Sequence, residues 1–316
     1  MSRDQKIKIA MVVCGMVLAC ALILTFTGGF GTPGLGSYAN ADKYTAGETE
    51  IRDTVRNLDI NWTSGKVTVA YHTENTVTLR ETAQRSLADD EKLQWWMDGD
   101  TLRVQFTKPG IRWNMPGKEL TVTLPEGISL GEAGIHLTSG DLILPAMKAE
   151  KLSLSATSGS MDVTAETKQA EADCTSGSIR MKLTGETERA SLGCTSGSVT
   201  LEANRIEKAE AGSTSGAVHV TAAEAGSVKA GSTSGRVDVE LQKFSNLKIG
   251  ATSGGVTALL PADPGFTAKV DTTSGKFSYD LALTKNGDRY VCGDGSAKVE
   301  IGTTSGDVRI APAAGK

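Results

Sequence analysis

Apolar and polar residues alternate with period two along most of this chain, and the alternation restarts at regular intervals. Two residues after each of ten glycines stands an apolar side chain: Val67, Leu142, Met161, Ile179, Val199, Val218, Val237, Val256, Phe277 and Val308. Two further on come residues such as Leu144, Val163, Leu201, Val220 and Ile310, and the residue between is mostly polar. That is the signature of a strand with one buried face. Ahead of the glycines the alternation recurs with smaller residues, as in Leu152, Leu154 and Ala156 or Ala190, Leu192 and Cys194. Each unit therefore predicts two short strands, joined by a second turn in polar stretches such as Thr164 to Gln169, Gly185 to Arg189 and Pro261 to Gly265.

The restart is marked by the tripeptide Thr-Ser-Gly. Its glycines are Gly65, Gly140, Gly159, Gly177, Gly197, Gly216, Gly235, Gly254, Gly275 and Gly306, and from Gly140 to Gly275 the steps are 19, 18, 20, 19, 19, 19 and 21 residues. This is a solenoid period, too short for a helical pair or a propeller blade. Buried parity changes across Ser-Gly, so the chain turns a corner there, and glycine is expected to supply a positive φ. The fold class predicted is all-β: a single-stranded parallel β-helix, or β-solenoid, of about 19 residues per rung, with rungs stacked in sequence order and one transmembrane helix in front. No unit can bury its apolar face alone, so the ends need caps, and both ends of the sequence are atypical.

At the N-terminus, Arg3, Lys6 and Lys8 precede an apolar stretch over residues 9–26 that is about long enough to span a bilayer. Positive charge on its short side predicts a single-pass anchor in the cell membrane with the N-terminus in the cytoplasm and the rest outside. The alternative is a signal peptide cleaved near Ala41, since Ala39-Asn40-Ala41 has the small-x-small form of a signal-peptidase site and would leave a secreted chain. The expected division is a stub and anchor over 1–28, a Gly-containing tether over 29–49, an N-terminal β-rich cap with the first rungs over 50–125, and the Thr-Ser-Gly solenoid over 126–312. Asp98-Gly99-Asp100 reads as a hairpin turn within the cap.

Formal charge is −4 with dispersed basic residues, which argues against nucleic-acid binding. Beyond the apolar stretch stand three cysteines, Cys174, Cys194 and Cys292, which do not form a disulfide framework. Cys174 and Cys194 share the position three before the repeat glycine and read as small buried side chains. The three histidines, His72, His136 and His219, are scattered, and no nucleophile motif, zinc motif, phosphate loop or calcium repeat is present, so neither an enzyme nor a cofactor or metal is expected. One outward column places Arg180, Thr200, His219 and Asp238 side by side on adjacent rungs, a speculative binding cluster that otherwise reads as a solvated face with an ion pair. The Thr-Ser columns read as structural hydroxyl ladders. All four tryptophans precede residue 114, and Trp95 and Trp96 point to opposite faces of one strand, so one of them is a candidate surface contact.

Val55 to Ile60, Gly99 to Val104, Leu120 to Pro125, the serial Thr-Ser-Gly units and the closing Gly293-Asp294-Gly295-Ser296 to Val308 together resemble the putative-adhesin β-strand-repeat family of bacterial envelope proteins, the domain of unknown function numbered 4097. The resemblance covers roughly residues 50 to 312. It implies a β-helix outside a bacterial cell, with no established enzymatic activity and no defined functional residues. The chain ends Ala311-Pro312-Ala313-Ala314-Gly315-Lys316 without a sortase signal, so wall attachment of that kind is not expected. The functional expectation is adhesion or envelope interaction, with a cell-wall polymer, a glycan or an envelope protein as partner. An accessory sensor of an envelope-stress response is the alternative, and a polysaccharide-acting β-helix enzyme the remote one.

Overall fold

The computed structural model describes residues 39–110 and 115–313; the expected membrane stretch at 9–26 lies outside them. A single 3-10 turn, Ala41–Lys43, is the one helical element among the described residues, and no helix there is long and apolar enough to cross a membrane. Everything else regular is β, joined into one continuous sheet. Its central strands Val199–Ser213, Val218–Ser232 and Val237–Ala251 pair in parallel at a constant offset of 19 residues, as in Val199 with Val218 with Val237. This is the β-solenoid that the period implies.

The corner between the two halves of each unit differs from expectation. No break separates two short strands: pairing persists from Val199 to Ser213, and Leu130–Ser196 runs as one extended ladder. The chain bends instead where two consecutive residues face outward. In the Gly216 rung the buried positions are Val199, Leu201, Ala203, Ile206, Ala209 and Ala211, and the three-residue steps fall where Asn204 and Glu207 drop out of the pairing. Skipping one inward position turns the strand while keeping most ladder hydrogen bonds, so the coil closes without an irregular loop. True interruptions occur at Pro261 to Gly265, between Val256–Leu260 and Phe266–Thr272, and at residues 126–129, between Lys118–Pro125 and Leu130–Ser196.

The repeat glycines also have a different cause from the one expected. Among them, φ is positive only at Gly65, Gly140, Gly159 and Gly177. What all ten share is crowding: a Cβ at Gly216 would stand 1.8 Å from the Gly197 carbonyl oxygen, and one at Gly235 1.9 Å from that of Gly216. No side chain fits between corners stacked that closely.

This glycine column also records the stacking order, which corrects the expectation of sequential rungs. Gly140 lies on Gly65, and the series then rises regularly to Gly254. There Gly306 follows, and Gly275 stacks on Gly306. The last strands, Ala297–Thr303 and Val308–Pro312, thus slot between the Gly254 rung and the rung of Phe266–Thr272 and Phe277–Tyr279. Composition gives the reason. Val299, Ile301, Val308 and Ile310 are fully buried and suit a rung covered on both sides, whereas Phe277 and Tyr279 are partly exposed and suit an end. The hairpin of Thr284–Asn286 and Arg289–Cys292 then runs antiparallel along Phe266–Thr272 and covers that edge.

The other end is built similarly. Asn57–His72 pairs with the Gly140 rung on one side and with Thr101–Gln105 and Lys118–Pro125 on the other. Antiparallel strands Gln94–Asp98 and Val77–Ala83 border those, with the turn at Gly99 and Asp100 joining Gln94–Asp98 to Thr101–Gln105. Lys118 takes the slot below Gly65, where the next strand is antiparallel and a side chain is admitted. Its ammonium is fully buried, 2.9 Å from Glu81 Oε2, donating to the carbonyls of Glu91 and Phe106 and lying over the Phe106 ring. Trp62 Nε1 donates to the Lys118 carbonyl at 3.0 Å.

Candidate functional surface

With rungs in register, each slot counted from the repeat glycine becomes a column along the solenoid. The slot three before the glycine faces inward and closes the corner. Ser213 Oγ donates to the Gly197 carbonyl and accepts from Gly216 N, both at 2.9 Å, and Ser232 repeats this with Gly216 and Gly235. Thr272 and Thr303 accept from Gly275 N and Gly306 N. Cys174 and Cys194 fill the same column as buried free thiols, reaching the Gly159 and Gly177 carbonyls only at 3.7 and 3.6 Å. The hydrogen bond to Cys194 and burial push the Cys174 thiol up, so it is a closed, protonated group at neutral pH.

Arg180, Thr200, His219 and Asp238 do lie on one column, each opposite the next. Contact is made only within its last pair, His219 Nδ1 to Asp238 Oδ2 at 3.2 Å, with both side chains partly exposed. At the N-terminal end Trp95 and Trp96 are both half-buried. Trp95 packs against the core, while the Trp96 ring meets Tyr44 edge-on at 5.7 Å with Lys43 Nζ 4.7 Å above it. An aromatic group not anticipated from sequence sits at the opposite end: Phe277, Tyr279 and Tyr290, with centroids 4.9 to 5.9 Å apart.

The slot four before the glycine forms another column, where Asn61 pairs with His136 and is followed by Ser155, Asp173, then Gly193, Gly212, Gly231, Gly250 and Gly302, and finally Asp271; of its glycines, Gly193, Gly212, Gly231 and Gly250 are buried. His136 Nδ1 and Ser155 Oγ are 2.8 Å apart, and burial holds the imidazole pKa below its usual value. Asp173 is only 8% exposed, and its carboxyl is pushed up to about 7 by burial and by the charge of Glu171. Aligning the slot four before each glycine across all units shows a run of four glycines between two aspartates in the sequence, and Gly302 joins that run only through the stacking order.

Residues 55–311 match the family model described as Toastrack DUF4097. The chain belongs to this family. Among solved structures, a "putative adhesin" from Bacteroides fragilis NCTC 9343 is 13% identical, with 84% of this chain and 97% of that one aligned at a TM-score of 0.44. A "putative cell adhesion protein" from Clostridium sporogenes ATCC 15579 is likewise 13% identical, covering 85% of this chain and 100% of the other at a TM-score of 0.22. No curated protein matches the chain. The Toastrack family assignment agrees with the all-β solenoid seen here.

Proposed function

We propose that this Toastrack protein is a non-enzymatic, adhesin-like β-solenoid that presents its long ladder face to a cell-wall polymer, a glycan or an envelope protein. One observation carries the reading: ten Thr-Ser-Gly corners stack into a repetitive surface whose outward slots form columns, a geometry matched to an extended partner rather than to a small substrate. Residues 9–26, with Arg3, Lys6 and Lys8 ahead of them, support a membrane anchor with the solenoid outside the cytoplasm. Arg180, His219, Asp238, Trp95 and Trp96 are surface positions in this proposal, without a catalytic part.

The test is sedimentation of the purified full chain with isolated bacterial cell walls, glycan beads and host matrix proteins. Saturable retention on at least one of them is expected, and absence of retention on all would count against adhesion. Protease shaving of intact cells should remove the solenoid and leave the cytoplasmic stub.

A further inference from the structure

We propose that the open strand edge at the C-terminal end of the stack pairs with the same edge of a second copy of this chain, antiparallel about a twofold axis at Ser278. The hairpin of Thr284–Asn286 and Arg289–Cys292 borders only the Phe266–Thr272 half of the last rung. The other half, Phe277–Tyr279, pairs among the described residues with Val308–Pro312 alone. Lys276 O accepts from Val308 N at 2.8 Å and Asp280 N donates to Ile310 O at 2.9 Å, so residues 276, 278 and 280 turn their backbone groups toward that strand. In a parallel ladder the residues between them point the other way. The N–H and C=O groups of Phe277 and Tyr279 therefore line the free edge.

The side chains of this edge select the partner. An antiparallel pair centred on Ser278 sets Phe277 opposite Tyr279 of the second copy and Tyr279 opposite its Phe277, each pair exchanging both of its N–H to C=O bonds. The same register sets Lys276 opposite Asp280 of the second copy, and Asp280 opposite its Lys276. Both residues are exposed, and Arg309 Nε and Nη2 both donate to Asp280 Oδ2, which leaves Oδ1 outside that pair. A lysine on an edge ordinarily repels an added strand, but here each lysine meets an aspartate. Lys-Phe-Ser-Tyr-Asp is thus complementary to its own reverse, as an isologous interface requires. On the core face Tyr279 is 45% exposed and stands with Phe277 and Tyr290 at centroid distances of 4.9 to 5.9 Å. The second copy brings an identical aromatic group to cover it. The contact is small, which puts it in the weak, transient class, and it does not depend on what the ladder face binds.

Sedimentation equilibrium of the purified full chain in mild detergent tests the pairing. Wild type should interconvert between monomer and dimer in the roughly micromolar range. Lys276→Glu and Asp280→Lys should each weaken the dimer about tenfold or more, because like charges then face each other at both ends of the paired strands. An equimolar mixture of these two variants should recover the dimer, since opposite charges again meet at both places. Tyr279→Lys should weaken it as well. The melting temperatures of the two charge variants should stay near that of wild type, because the Arg309–Asp280 pair is exposed and contributes little to stability. A wild type that stays monomeric, charge variants that associate unchanged, or a mixture that does not recover the dimer would overturn the proposal.

Discussion

At the scale of single residues, the corner slot three before the glycine shows how small the differences are that tune a rung. Serine makes two hydrogen bonds to the corner backbone there, whereas each cysteine reaches a corner carbonyl only at 3.6 to 3.7 Å and otherwise meets the other thiol. Replacing Cys174 and Cys194 by serine should therefore stabilise the fold by about 0.5 to 1.5 kcal/mol each, contrary to the usual penalty for burying a hydroxyl. Chemical denaturation of the double variant measures it. Asp173 gives a second prediction. Its folded pKa of about 7 lies above the roughly 3.9 of an unfolded aspartate, so between those values the folded state keeps a proton that the unfolded state releases. Stability from this group is intact below about pH 4, falls as pH rises through 7 and is flat above, a loss on the order of a few kcal/mol. The difference in unfolding free energy between wild type and D173N should follow that curve, and a pH-independent difference would refute it.

At the scale of elements, register is held by more than the apolar face. Glu186, Arg205, Glu224 and Lys243 stack with alternating sign, at 3.4, 3.9 and 2.9 Å from one to the next. A slip by one rung would place like charges together, so the ladder discriminates among alignments that the near-identical apolar columns would tolerate. The closing strands have a different dependence. Because Ala297–Thr303 and Val308–Pro312 lie inside the stack, deleting residues 297–316 should expose Phe266–Thr272 and Phe277–Tyr279 as well. Hydrogen exchange on the truncated chain should then show lost amide protection over 266–279, while protection in Val199–Ser213 persists. Sequential stacking would have left 266–279 paired.

At the scale of the whole molecule, stability is a sum over neighbouring rungs, each of which touches only the rungs above and below. Removing residues 198–216, one 19-residue unit, should join two equivalent corners and leave the remaining rungs in register. Circular dichroism should stay that of a β protein and the melting temperature should fall only modestly; global unfolding of this deletion would show that the rungs are not interchangeable.

The rung itself was legible from the chain alone, because period-two alternation and a fixed Thr-Ser-Gly spacing are local properties, and stacking is the only way such units bury their apolar faces. The inward column from Val67 to Val308 could be read directly, as could the family. Three features needed the fold. The continuous bend at Asn204 and Glu207 arises from ladder hydrogen bonds between rungs. The place of the Gly306 rung between those of Gly254 and Gly275, and of Lys118 beneath Gly65, depends on which rung tolerates an open side, a property of ends and not of sequence order. The unbroken glycine column between Asp173 and Asp271 exists only once that order is known, because Gly302 joins Gly250 to Asp271 across a gap in the chain, and burial of Asp173 comes from neighbours that only the tertiary structure brings around it.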